Sequence, residues 1–236
     1  MESIEAQLQQ GAAQCGISLS KEQSRQFQQY MESLLEWNQK LNLTAITQPQ
    51  EFLQKHFLDS LWPLQWMQLQ KKNCIDVGTG AGFPSIPLKL AVPQMQLTLL
   101  DSLQKRLTAL QDICETLQVK ADFVHGRAEE AGRNAKLRGQ FDFAFARAVA
   151  PLPVLCEYCL PFVKVGGSFC AWKGPAGEGE LAAATHALRA LGGKVQRNET
   201  YLLPNGEKRV FLMIRRVSPC PNKYPRLMQK IKKQPL

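Results

Sequence analysis

The stretch IDVGTGAGFPSIPLKL, residues 75–90, decides the fold. An apolar run carrying Asp76 ends at Gly78, two more glycines follow at Gly80 and Gly82, and a helix-like apolar run comes next. Glycine reaches positive φ without strain and adds no side chain, so the backbone here is shaped to approach a ligand closely.

Outward from this turn, strand-like segments at 74–77, 97–100, 123–125, 141–146 and 168–172 alternate with helix-length ones. That alternation predicts an α/β fold with a parallel, doubly wound sheet. After a further helix at 180–191, segments 196–203 and 209–217 flank Pro204-Asn-Gly-Glu207 and read as a hairpin, which adds an antiparallel pair to five parallel strands. The first seventy residues read as helices. Ser20-Lys-Glu-Gln23 has the form of a capping box, and Phe27, Tyr30, Met31, Leu34, Leu35 and Leu41 recur at helical spacing. A second amphipathic helix runs from Pro49 past Phe57 to Leu61. His56 lies on its apolar face, either hydrogen-bonded between packed helices or free for a catalytic or ligand role. The organisation expected is a helical extension at 1–70, a core domain at 71–217 and a basic tail at 218–236.

The 236 residues carry a net charge of +9, and its position is informative. From Lys208 onward there are nine Lys or Arg and no Asp or Glu, so the preceding 207 residues are neutral. A polyanionic partner, most simply nucleic acid, fits such a segment, and a merely solvated terminus is the alternative. No apolar run approaches the length of a membrane span, and MESIEAQLQQ lacks the basic-then-apolar order of a secretory signal. A cytoplasmic protein is therefore expected, with monomer as the default state. Seven scattered cysteines read as reduced core thiols; Cys156-x-x-Cys159 has no second pair or nearby histidine, and no metal site is expected.

In a doubly wound sheet the ligand lies over the carboxyl ends of the strands where their order reverses. Asp101 ends the second strand, 23 residues after Gly78, where a carboxylate can accept from ribose hydroxyls. A nicotinamide dinucleotide and S-adenosylmethionine fit this equally well. The glycine spacing separates them: a dinucleotide turn wants G-x-G-x-x-G, whereas Phe83 stands at the third glycine's place. Asp76 is likewise awkward beside a pyrophosphate and comfortable beside a sulfonium ligand bearing an amino group. Gly78, Gly80, Gly82 and Asp101 are thus candidate contacts to S-adenosylmethionine.

The chain resembles the RsmG (GidB) family of small-subunit (16S) ribosomal RNA guanine-N7 methyltransferases. The resemblance is carried by Trp37-Asn38, Asn42-Leu-Thr44, His56-Phe-Leu-Asp59-Ser-Leu, Asp76-Val-Gly-Thr-Gly-Ala-Gly-Phe-Pro84, Ile86-Pro-Leu88, Asp101-Ser102, Arg127-Ala-Glu129, Arg147-Ala148, Lys173-Gly174 and Tyr224-Pro-Arg226. Thr79 and Ser85 stand where the family commonly has Ser and Gly, and a positive φ at Ser85 would strain the turn. The resemblance implies a class I (Rossmann-like) methyltransferase fold in which Gly78, Phe83, Ala128, Glu129 and Arg147 contact the cofactor. Read alone, Glu129 is equally a first-turn helix carboxylate and Arg147 a surface ion pair.

The segment 146–151 holds no Asn/Asp-Pro-Pro-aromatic stretch for an exocyclic amine and no Pro-Cys nucleophile. This fits an acceptor atom with a free lone pair; N7 among ring nitrogens is specified only by the resemblance. Arg147 and Lys173, at the ends of the fourth and fifth strands, stay protonated and are read as positioning groups facing phosphate, carboxylate or carbonyl. Loss of either is expected to lower activity without unfolding. Arg215, Arg216, Lys223, Arg226, Lys230, Lys232 and Lys233 are candidate phosphate contacts, and Tyr224 either stacks on a base or is buried. Two other classes are disfavoured: an oxidoreductase by Phe83, and a non-enzymatic RNA-binding protein by the intact glycine turn.

Overall fold

Strands β1 (Asn73–Val77), β2 (Gln96–Asp101), β3 (Asp122–His125), β4 (Phe141–Arg147) and β5 (Val163–Lys173) are joined in parallel in this computed structural model, which describes residues 3–236 apart from the side chain of Glu178. Met1 and Glu2, the start of the segment read for a signal, lie outside the described residues. β6 (Gly193–Leu202) and β7 (Lys208–Arg216) complete the sheet as an antiparallel pair, in the order β3-β2-β1-β4-β5-β7-β6. The order reverses between β1 and β4, which places the ligand-binding crevice over their carboxyl ends.

β5 begins earlier than expected because Val163 already pairs with Phe141, beyond an irregularity in the β4–β5 register. The helical stretch expected at 180–191 divides into Gly177–Ala183 and Thr185–Leu191. No helix among the described residues is long and apolar enough to cross a membrane.

The amino-terminal helices form one outer layer of the molecule. In the helix Lys21–Leu41 the capping box is made: Ser20 accepts from the Gln23 amide and the Gln23 side chain accepts from Ser20. The Gln23 amide group also donates to the carbonyls of Leu90 and Ala91, tying this helix to Ser85–Ala91. The Tyr30 hydroxyl, fully buried, donates to the Ala81 carbonyl at 2.6 Å and so holds the glycine turn from behind. Residues 49–61 are helical throughout, with π-helical winding at Leu53–Leu58.

The three glycines differ in what confines them. At Gly82 (φ +93°) a Cβ would lie 2.7 Å from the Tyr30 hydroxyl and 2.6 Å from Ile86 Cδ1, whereas at Gly80 (φ +57°) it would meet nothing closer than 4.0 Å. Gly82→Ala is therefore expected to destabilise the protein by about 1–3 kcal/mol, through left-handed strain and overpacking. Gly80→Ala should cost about 1 kcal/mol, from strain alone. Urea unfolding of the two variants checks this, and equal losses would contradict it.

The carboxyl-terminal segment is not a free tail. Tyr224 and Ile231 are buried, Arg138 donates to the carbonyls of Cys220, Pro221 and Tyr224, and a helix at Met228–Lys233 lies against the core.

Candidate functional site

At the switch point, the turn after β1 is fastened to β2. The amides of Gly78 and Thr79 donate to the Leu100 carbonyl at 2.9 and 3.1 Å, and the Gly80 amide donates to Asp101 Oδ2 at 2.9 Å. Asp101 also accepts from the Leu103 amide, so one carboxylate shapes both loops.

Asp76 is completely buried beneath the turn. Its Oδ2 accepts from Thr79 at 2.7 Å and from Ser85 at 2.5 Å, while Oδ1 is a buried oxygen without a partner among the described residues. Burial pushes the carboxyl up to about 7, although both hydroxyls oppose the rise. Ser85 opens a helix, so the feared positive φ does not arise. The two positions where the sequence departs from the family pattern supply the hydroxyls that hold Asp76.

A cleft of about 440 Å³ opens over the ends of β1, β2 and β3. Such a volume lies within the range of small-molecule sites. Gly78, Asp101, Ala128 and Glu129 line it, as four of the candidate cofactor contacts. Glu129 is both a first-turn helix carboxylate and a cleft residue. Val149 to Pro151 close one side, and Tyr158, Met228, Lys232 and Pro235 close another. A wider depression of about 830 Å³ lies at the opposite, amino ends of β1 to β3, away from the switch point.

Gly80, Gly82, Phe83 and Arg147 are not among the residues lining the cleft. Phe83 is buried in an aromatic stack: its ring lies parallel to His56 with centroids 4.2 Å apart, and the Arg147 guanidinium lies 4.8 Å from its centroid. Arg147 donates to the Lys55 carbonyl, to Asp59 Oδ2 and to His56 Nδ1. Because Arg147 can only donate, the His56 proton resides on Nε2 and points to Thr44 Oγ1 at 2.8 Å. Burial and the adjacent guanidinium push His56 down to about 3, so it is neutral at physiological pH. His56 is thus hydrogen-bonded, but to the loop residue Thr44 and to Arg147 at the end of β4 rather than between two packed helices.

Arg147 and Lys173 both face carboxylates and carbonyls, Lys173 contacting Glu180 at 2.7 Å and the Ala150 carbonyl at 3.0 Å. For Arg147 the expectation of an activity loss without unfolding needs correction. Its removal leaves Asp59, 4% exposed, without its closest cationic partner, and breaking such a buried pair lowers stability too.

These two residues line a second cavity of about 420 Å³ at the ends of β4 and β5, with Lys55, His56, Asp59 and Arg209. Asp59, Lys55 and Arg209 carried no assignment in the sequence reading. Asp59 lies in a motif of the resemblance, but what makes it central is Tyr201, whose hydroxyl donates to Asp59 Oδ1 at 2.7 Å from 142 residues away.

Of the seven candidate phosphate contacts, Arg215, Lys223, Lys230, Lys232 and Lys233 are exposed. Arg216 and Arg226 are not. Arg216 is 5% exposed and donates to the carbonyls of Val163 and Ser218, and Arg226 is spent on the buried Glu157 carboxylate. A charge count along the chain cannot separate cations that point outward from those that close the fold.

A model of the family described as rRNA small subunit methyltransferase G matches residues 23–207 of the chain. The ribosomal RNA small subunit methyltransferase G of Leuconostoc citreum is 49% identical over 225 residues, covering 94% of each chain. The protein so named in Alkaliphilus oremlandii is 47% identical over 232 residues, covering 97% of each. Among solved structures, an O-methyltransferase from Bacillus cereus in complex with SAH is similar at TM-score 0.56 and 16% identity, covering 78% of this chain and 90% of its own. A 16S rRNA (adenine(1408)-N(1))-methyltransferase mutant from Catenulisporales acidiphilia is similar at TM-score 0.53 and 18% identity, covering 65% and 88%. At these identities the structural likenesses show the fold.

Proposed function

The chain belongs to the rRNA small subunit methyltransferase G family, and on that premise we propose that it transfers a methyl group from S-adenosylmethionine to N7 of a guanine in small-subunit (16S) ribosomal RNA. The observation that carries the cofactor assignment is the buried Asp76 Oδ1, which has no partner among the described residues; Asp76 itself does not line the cleft, but Val77 and Gly78, which follow it, do. A ligand with a cationic amino group satisfies that oxygen, whereas a pyrophosphate would repel it. When bound, the cofactor supplies an electrophilic methyl group on a sulfonium.

In this reading Gly78 admits the ligand to the backbone, Asp101 accepts from the ribose hydroxyls, and Ala128 and Glu129 meet the adenine edge. Phe83 and Arg147 act from behind the turn, through the stack with His56. Guanine N7 has a lone pair, so the chain's task is alignment of the acceptor rather than removal of a proton. Arg147, cationic, and His56, neutral, suit that task.

Methyl transfer from radiolabelled S-adenosylmethionine to small subunits and to their naked RNA, taken from cells lacking this protein, tests the reaction. Label in 7-methylguanosine is the expected result, and cofactor binding with no label in either RNA would redirect the search to another acceptor. The exposed basic residues have their own signature. Replacing Lys223, Lys230 and Lys233 together by Gln should flatten the dependence of log affinity for the RNA on log salt by about 2, at 0.7–0.9 per phosphate contact. An unchanged slope would remove these residues from the interface.

A further inference from the structure

Four cations converge on the second cavity, in two different ways. Arg147 and Lys173 are fixed near its inner end by Asp59 and Glu180. Lys55 and Arg209 stand on separate elements, the helical stretch 49–61 and β7, and are bridged by one carboxylate. Glu207, just after the β6–β7 turn, places Oε1 2.8 Å from Lys55 Nζ and Oε2 2.7 Å from Arg209 Nη2. An oxyanion offering one oxygen to each of two cations has the arrangement in which a phosphate is held. The side chain of Glu207 is 39% exposed, against 23% for Lys55 and 17% for Arg209, so the bridging group is the more solvated partner. Both cations keep a second carboxylate nearby, Glu51 at 2.9 Å from Lys55 and Asp59 at 3.7 Å from Arg209, and stay oriented without Glu207.

The cavity's position adds the second part. Arg147 and Ala148 line it, while Val149, Ala150 and Pro151, next in the chain, line the cofactor cleft. One short segment therefore separates the two spaces, and it turns at Ala148 through a left-handed conformation with φ +57°. Guanine N7 lies on the major-groove edge, which the deep, narrow groove of an RNA helix hides, so an acceptor guanine must be presented unstacked. A volume of about 420 Å³ is sufficient for a base.

Resting on the methyltransferase reading, we propose that this second cavity receives the acceptor nucleotide of an RNA strand, and that a backbone phosphate of that strand displaces Glu207 from between Lys55 and Arg209. Glu207 is then a built-in counterion that keeps the phosphate site ordered in the free protein.

The test uses the full chain with small-subunit rRNA, measuring RNA affinity by direct titration at several salt concentrations, cofactor affinity by calorimetry and methyl transfer by label. Glu207→Gln keeps the acceptor for Asn205 and removes the charge. It should tighten RNA binding about two- to fivefold and steepen the salt dependence by up to about 0.7 log units per log unit, because solution ions then neutralise the two cations. Lys55→Gln and Arg209→Gln should each weaken RNA binding and flatten the slope. Cofactor affinity should stay within about twofold of wild type in all three. Glu207→Gln that binds RNA no better than wild type, at an unchanged slope, would overturn the proposal and leave Glu207 as a hairpin ion pair. Wild-type protein that binds RNA and cofactor but transfers no methyl group would instead overturn the reading on which the acceptor role rests.

Discussion

Replacing Arg226 by alanine is expected to lower the unfolding free energy by about 3–5 kcal/mol, the cost of leaving a buried charge without its partner. Glu157 is 0% exposed within the helix Leu152–Cys159. Its carboxylate accepts from the Arg226 backbone amide at 2.7 Å, from Nε at 2.9 and 3.1 Å and from Nη2 at 2.7 Å. Truncation removes the cation and leaves the anion inside. The damage extends to the cofactor cleft, because Met228, Lys232 and Pro235 follow Arg226 and close one of its sides. A loosened segment populates the binding-competent arrangement less, and cofactor affinity falls in proportion. The double variant Arg226→Met with Glu157→Leu should recover a large part of the stability, since it removes both charges. Urea unfolding of wild type and the two variants, with calorimetric titration of S-adenosylmethionine, measures both effects. An Arg226→Ala protein as stable as wild type would show that the pair carries no weight.

On the proposal that the ligand's amino group meets the Asp76 carboxylate, Asp76→Asn is expected to weaken S-adenosylmethionine binding by about 10- to 100-fold, the loss of one charge-assisted contact. The same residue gives a pH signature in the free protein. Its carboxyl is raised from 3.8 to about 7 by burial, so the folded state retains a proton that the unfolded state releases. The stabilisation from this site is full below about pH 4 and is lost as pH rises to about 7, amounting to on the order of 4 kcal/mol. Subtracting the pH profile of Asp76→Asn from that of wild type isolates this fall from the opposite trend of salt-bridged carboxylates. Bound cofactor favours the ionised carboxylate, so affinity should rise with pH toward 7 in wild type and lose that rise in the variant. A difference profile flat between pH 4 and 7 would mean that Asp76 is already ionised without the ligand.

The sheet was readable because its signals are local. Apolar runs bounded by Gly, Pro and Asn located all seven strands, and the spacing of Gly78, Asp76 and Asp101 located the crevice. Gly78, Asp101, Ala128 and Glu129 meet there because each closes or follows a neighbouring parallel strand; the glycine turn and Asp101 were readable from the residues, whereas Ala128 and Glu129 were assigned only by the resemblance. The second cavity was not readable. It depends on Asp59 meeting Tyr201, Arg147 and Arg209 across most of the chain, and no local pattern encodes such a meeting. Direction was equally hidden: Arg216 and Arg226 look like their neighbours in a basic run, yet one closes a strand end and the other neutralises Glu157. Phe83 gave an ambiguous signal. An aromatic residue beside a glycine turn reads as a wall for the ligand, and the stack with His56 and Arg147 becomes visible only once the helical layer is docked.

The position of residues 228–235 along the cleft has a consequence for biosynthesis. A chain emerging from the ribosome can lay down β1 to β4, with the glycine turn and Asp101, long before the helix Met228–Lys233 is made. The cleft gains this last wall only once residues 228–235 have been made. A product that stops before residue 228 would display the crevice half open, and full cofactor capture would follow the synthesis of residues 228–235.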